Sequence, residues 1–290
     1  MQEFKTYHPI VNLIYFVFTI GFSCAFLHPA CLLISLFCAF SSFILLKGAK
    51  ALKKSLVYLL PVIIITALLN PLFNHRGVTI ICFFPNGNPL TLESLLYGLS
   101  ASIMLVSVIF WFACFSEVFT SDKFIYLFGK IIPSLSLVLS MTLRFVPLFS
   151  SQLKAVTNAQ KCLGNDIARG NLIKRIKCGL SILSITITWA FEKSIDTADS
   201  MKSRGYGINK RTAFSNFVFR KRDIASLSGI IILALYVLID SFTDAVSFQY
   251  FPYFKGSVFS LYSLSVYTAY FALLIYPVIL EVCEVRKWKS

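Results

Sequence analysis

The residues able to do chemistry by type and spacing gather between Ser121 and Asp223. Arg204 stands one residue before Gly205, where a helical pattern stops. A guanidinium held at a helix end is a fixed cation with five donors, suited to bidentate pairing with a carboxylate on a partner. Glu192, Asp196 and Asp199 fall at i, i+4 and i+7, on one face of a helix. Such a face could hold a cation, but the three histidines (His8, His28 and His75) lie far along the chain. A solvated or subunit-facing edge is therefore expected, with no metal site. The eight cysteines are scattered without a C-x-x-C, and most lie in apolar runs where cysteine behaves as a small hydrophobe. The sequence has no G-x-x-x-x-G-K-[ST] loop, H-E-x-x-H or G-x-S-x-G, so neither catalytic residues nor a cofactor site are expected.

The elements that must position these residues are helices. From Phe149, the residues Leu153, Val156, Gln160 and Leu163 recur at spacings of four, three, four and three. From Phe191, the residues Ile195, Ala198 and Met201 recur at four, three and three. Both patterns have the helical period with one apolar face. Each stops at a glycine, Gly164 or Gly205, the residue that takes the left-handed conformation of a helix C-cap without steric cost. Upstream of each stripe is a short apolar run, Ile131 to Leu143 and Cys178 to Phe191. Runs of that length sit at an interface or in a core more readily than they cross a bilayer. The segment Asp122 to Lys130, ended by Pro133, reads as a separate short helix. One short helix and two of about thirty residues, partly sunk in the membrane surface, are expected. Pro147 is expected to kink the first long one.

The rest of the chain is membrane. Of 290 residues, 57% are hydrophobic and 14% charged, against about 25% charged in soluble domains. Pro9 to Leu46 contains no formal charge and is long enough for two spans, turning at His28-Pro29. Further spans are expected over Ser55 to Asn74, Ser94 to Ser116, Ile224 to about Phe242, and Gly256 to Leu280. The N-terminal segment lacks a small-residue cleavage site and runs into a second apolar stretch, so it reads as a retained span. With this layout, 25 of the 27 lysines and arginines fall on one side, and only Arg76 and Lys255 on the other. Positive residues stay inside, which places both ends and the 121–222 insert in the cytoplasm. The fold expected is an all-α membrane protein of about six spans: residues 1–120 with four, 121–222 as the cytoplasmic helices, and 223–290 with two. The net charge of +14 then reflects topology and contact with anionic lipid, and nucleic acid is excluded as a partner for want of a recognition motif.

Two stretches within the insert resemble a known family, the transmembrane T subunit of energy-coupling factor transporters (the EcfT/CbiQ family). Thr142-Leu143-Arg144-Phe145-Val146-Pro147, followed by Ala159-Gln160-Lys161 and Gly164-Asn165-Asp166, is similar to the family's L-R-F-[IV]-P leading into A-Q-x-A-R-G. Ala198-Asp199-Ser200-Met201-Lys202-Ser203-Arg204-Gly205-Tyr206-Gly207 resembles A-D-A-M-x-A-R-G-[YF]-G. The match covers about residues 121 to 210, and Gly170-Asn171-Leu172 keeps the alignment between the two stretches.

The resemblance implies a subunit for vitamin or metal-ion uptake in the plasma membrane. It would work with two ATP-binding-cassette ATPases and a separate substrate-binding membrane subunit, which holds the specificity. It also implies two coupling helices whose terminal A-R-G arginines dock in grooves of the ATPases. Carried over, Ser203-Arg204-Gly205 forms the second docking motif. The first reads Cys162-Leu163-Gly164, with leucine where arginine is expected and Lys161 immediately before the triplet. Ala168-Arg169-Gly170 lies six residues too late, so Arg169 reads as a loop charge. Arg144, at an apolar membrane surface, is equally suited to reaching headgroups. The rival reading is a self-contained secondary transporter or channel, which usually places ionisable residues at midplane. Here the charges sit near span ends, as with Glu117 and Asp240.

Overall fold

The computed structural model describes residues 2–74, 77–83, 89–165, 171–207, 217–243, 248–255 and 261–289. His75, Arg76, residues 84–88, Asp166, Arg169 and Gly170 lie outside the described residues. The chain folds into two compact units, Met1–Phe124 with Phe217–Ser290, and Ile125–Asn216.

The first unit holds α1 (Gln2–Thr6), α2 (Pro9–Ala25), α3 (Pro29–Lys47), α4 (Ala49–Phe73), α5 (Leu92–Val118), α9 (Lys221–Thr243) and α10 (Leu261–Lys289). A two-stranded hairpin, β1 (Ile80–Phe83) and β2 (Pro89–Thr91), precedes α5, with Ile80 opposite Thr91 and Phe83 opposite Pro89. The His-Pro pairs open helices. His8 and His28 are N-caps whose Nδ1 atoms accept from the amides of Ile10 (3.3 Å) and Ala30 (3.2 Å), with proline at the first helical position. These histidines therefore serve as caps. Burial lowers the His28 pKa, which favours the neutral ring its acceptor role requires.

Side chains close the bundle at both ends. At one, Lys5 and Lys47 meet Glu117 at 3.0 and 3.7 Å, and the His8 amide donates to Asp223 at 3.4 Å. At the other, the Tyr250 hydroxyl donates to the Leu27 carbonyl at 2.9 Å and hydrogen-bonds Ser100 at 2.8 Å. Alternation of direction from helix to helix follows from these contacts. Between the ends, Trp111 donates to Ser35, Ser35 meets Ser23, and Tyr15 donates to the Leu274 carbonyl. Polar groups at membrane depth must be satisfied internally. Gly98 lets α5 approach α4 closely: a Cβ there would lie 2.5 Å from the Ala67 carbonyl oxygen.

Among the described residues, six helices are long and apolar enough to cross a membrane: Pro29–Lys47, Ala49–Phe73, Leu92–Val118, Ser134–Cys162, Lys221–Asp240 and Tyr262–Val282. The membership differs by one from the sequence expectation. α2, at 17 residues, is the shorter apolar helix, at the lower limit for a crossing. Ser134–Cys162, expected at the interface, qualifies because its apolar first half outweighs its amphipathic second half; none of its apolar window is buried.

The second unit takes in the C-terminal part of α6 (Ser121–Ile131), with α7 (Pro133–Cys162) and α8 (Leu172–Ser203). The break at Ile132 falls where Pro133 opens α7. The helix runs unbroken through Pro147.

Candidate docking ends of the long helices

α7 and α8 pack as an antiparallel pair. Phe149 meets Trp189 edge to face at 5.7 Å, and Val156 packs with Ile182 and Cys178 in a small buried cluster. Further along, the Cys178 thiol donates to the Asn165 carbonyl at 3.1 Å. As the number rises on α7, it falls on α8. The face of α8 that meets α7 is thus Cys178, Ile182, Thr186 and Trp189. The stripe read from periodicity is a different one: Phe191 and Ile195 are exposed, at 67% and 62%. Ile173, Ile176, Leu180, Leu183 and Ile187 continue that exposed stripe toward the start of the helix. Period alone does not say which of two apolar faces finds the neighbour.

An apolar cleft of about 310 Å³ opens between the two helices, lined by Phe145, Phe149, Ile187, Trp189 and Phe191, with Lys193 at its edge. Phe145 is the motif residue that faces it. Arg144 and Pro147 are exposed on α7.

The helix ends are built alike. At α7, the Gly164 amide donates to the Lys161 carbonyl (3.0 Å) and the Asn165 amide to the Gln160 carbonyl (2.9 Å). At α8, Gly205 donates to Lys202 (2.9 Å) and Tyr206 to Met201 (3.1 Å). These pairs are the two bonds of a Schellman motif, which satisfies carbonyls that a helix end would otherwise orphan. The cap residues Leu163 (φ −82, ψ 5) and Arg204 (φ −82, ψ 6) have the same backbone, followed by Gly164 at φ 83 and Gly205 at φ 81. Leu163 and Arg204 therefore occupy one structural position, as the motif alignment expects. Both project into solvent, Leu163 being 73% exposed.

Most remaining motif residues build these ends. Ala159 and Gln160 supply carbonyls to the first cap, and the Gln160 side chain accepts from the Asn165 amide group at 3.1 Å. Met201 supplies a carbonyl to the second, and the Ser203 hydroxyl donates to the Ser200 carbonyl at 2.9 Å. Lys161, Cys162 and Ala198 are exposed. Asp199 pairs with Lys202 at 4.0 Å and Asp196 with Lys193 at 3.8 Å. Together with exposed Glu192, they form a solvated edge. Among the described residues no group of histidine, cysteine and carboxylate side chains could hold a metal. The motifs contain Asn165 and Tyr206 without giving them a role; each directly follows its glycine and is the last residue of its cap. Asn171, used for alignment alone, starts α8: its side chain accepts from the Leu172 amide at 2.8 Å.

Residues 5–214 match the family model described as cobalt transport protein, CbiQ. The chain belongs to the CbiQ family. Relatives of this CbiQ-family chain include the energy-coupling factor transporter transmembrane protein EcfT of Lactococcus lactis, 36% identical over 36% of this chain and 40% of the relative. The protein of the same name from Staphylococcus aureus is 35% identical over the same shares. That of Acidaminococcus fermentans is 32% identical over 51% of this chain and 59% of its own length. The chain thus spans 40% to 59% of the length of these relatives.

Proposed function

We propose that this chain is the transmembrane coupling subunit of an energy-coupling factor transporter for vitamins or metal ions in the plasma membrane. It is not catalytic itself. Two ATP-binding-cassette ATPases bind the α7 and α8 ends through Leu163 and Arg204, and ATP binding and hydrolysis move those ends. The long helices then tilt and reorient a substrate-binding membrane subunit resting on the exposed stripe from Ile173 to Ile195. The observation that carries the reading is the pair of matching Schellman caps. Two rigid ends that each present one exposed side chain from the same position suit docking into two grooves.

The placement of Glu117 favours coupling over self-contained transport. Glu117 is engaged by Lys5 and Lys47 at one end of the bundle. Arg204→Ala tests the docking role. Removing one partner of a buried interfacial charge pair costs roughly 2–5 kcal/mol, so the variant is expected to insert normally and lose ATPase-driven uptake. Normal uptake by that variant would reject the role.

A further inference from the structure

We infer that the two ATPase grooves are chemically unlike: the one receiving the α7 end is apolar where it faces residue 163, and the one receiving the α8 end presents a carboxylate to residue 204. The inference rests on the coupling reading above and adds the chemistry of each partner surface. Because the cap residues share φ and ψ to within 1° and the glycines after them share φ to within 2°, the side chains at 163 and 204 leave their helices from the same place. The difference between the ends therefore lies in the side chain and not in the backbone that presents it.

Charges beside Leu163 do not restore an arginine. Lys161 lies two residues earlier, roughly 200° around the helix at 3.6 residues per turn, so it projects from another side. Cys162, next to Leu163, is an exposed free thiol and adds no charge. The residues around the glycine add no further cation at either cap position. At the α7 end the positions flanking the cap are Gln160 and Asn165, which hydrogen-bond each other at 3.1 Å. At the α8 end they are Met201 and Tyr206, and Lys202 is drawn to Asp199 at 4.0 Å. Arg204 is thus the cation presented at the cap position of α8.

A groove carrying a carboxylate opposite Leu163 would bury that charge without a partner, and an apolar groove opposite Arg204 would bury an unpaired guanidinium. Either mismatch is strongly unfavourable. Identical grooves cannot suit both ends, so the mismatch fixes a single orientation of the chain on the ATPase pair.

The test uses the chain assembled with its cassette ATPases in membranes, measuring ATPase retention from about 0.01 to about 1 M salt. Over that range the Debye length falls from roughly 30 Å to roughly 3 Å. Arg204→Ala leaves only the α7 contact, and its residual retention is expected to be insensitive to salt. Leu163→Ala leaves only the α8 contact, and retention should fall steeply as salt rises. Equal salt slopes for the two variants would overturn the inference, as would undiminished retention by Leu163→Ala alone. Leu163→Arg decides the matter even if Arg204→Ala abolishes binding. It is expected to weaken retention about tenfold or more, the scale of replacing a buried leucine contact, whereas tighter retention would reveal a waiting carboxylate and overturn the inference. If neither Leu163→Ala nor Arg204→Ala alters retention, the coupling reading itself falls.

Discussion

Gly205 makes the helix-end geometry testable apart from the arginine it follows. Its φ of 81° lies in the left-handed region, where an L-residue carries roughly 1–2 kcal/mol of strain. Opening the cap instead breaks two hydrogen bonds, Gly205 to Lys202 at 2.9 Å and Tyr206 to Met201 at 3.1 Å, each worth roughly 0.5–1.5 kcal/mol net. The two routes are of similar size. Gly205→Ala should therefore leave the capped end populated at around half, weakening ATPase affinity only about twofold to fivefold. Gly205→Asn, which tolerates the left-handed region, should stay near the parent value. Gly205→Pro is different in kind: its φ is locked near −65° and it has no N–H to donate. That variant should lose the capped end and approach the effect of removing Arg204 itself, tenfold or more. The assay is titration of the ATPase pair onto the chain in lipid nanodiscs, with hydrogen exchange at the 205 and 206 amides reporting the cap. Parent-like affinity for Gly205→Pro, or equal losses for asparagine and proline, would refute the claim that the cap holds the docking side chain in place.

Other outcomes follow from the packing and the charges. Ile182→Ala removes a side chain only 4% exposed between the long helices. It should cost about 2–4 kcal/mol and make the 125–216 unit sensitive to protease while the membrane unit survives; unchanged digestion would contradict the packing. Lys123 is buried, donates to the Val118 carbonyl at 3.1 Å and, with the Asn12 amide turned to suit its neighbours, to the Asn12 side chain at 2.6 Å. Burial, then nearby Lys5, lowers its pKa from 10.5 to about 8. Below pH 8 it is charged in both folded and unfolded states, and the burial cost is fully present. Above pH 8 the folded state releases the proton first, so thermal stability relative to Lys123→Met should rise between about pH 8 and 9.5. A relative fall across that window would show the sign to be wrong.

How far these features could be read from the chain alone depended on whether the signal was local. Gly164 and Gly205 announce helix ends because a left-handed residue there is a local requirement, and both caps lie where the glycines put them. Pro133 likewise separates α6 from α7. The packing face of α8 was not legible. The helix is apolar on two sides, and only the position of α7 distinguishes Cys178, Ile182 and Trp189 from Phe191 and Ile195. His8 and His28 look like candidate ligands by residue type, but a proline following each makes them caps. The short pairing of Ile80–Phe83 with Pro89–Thr91 escaped notice because strands of four and three residues carry almost no periodicity. The turn at His28-Pro29 was legible because proline follows the histidine, whereas the 17-residue length of α2 depends on where its C-terminal end stops, which a charge-free run does not mark.

The most direct measurement is the separation of the two helix ends during the ATPase cycle. Cys162 and a cysteine placed at Ser203, with the exposed Cys24 and Cys82 replaced by serine, would carry spin labels within the assembled complex. Pulsed dipolar spectroscopy would then compare nucleotide-free and ATP-trapped states. Force entering through these ends requires the distance distribution to shift with ATP and to stop shifting in Arg204→Ala. An identical distribution in both states, in a complex that still transports, would contradict it.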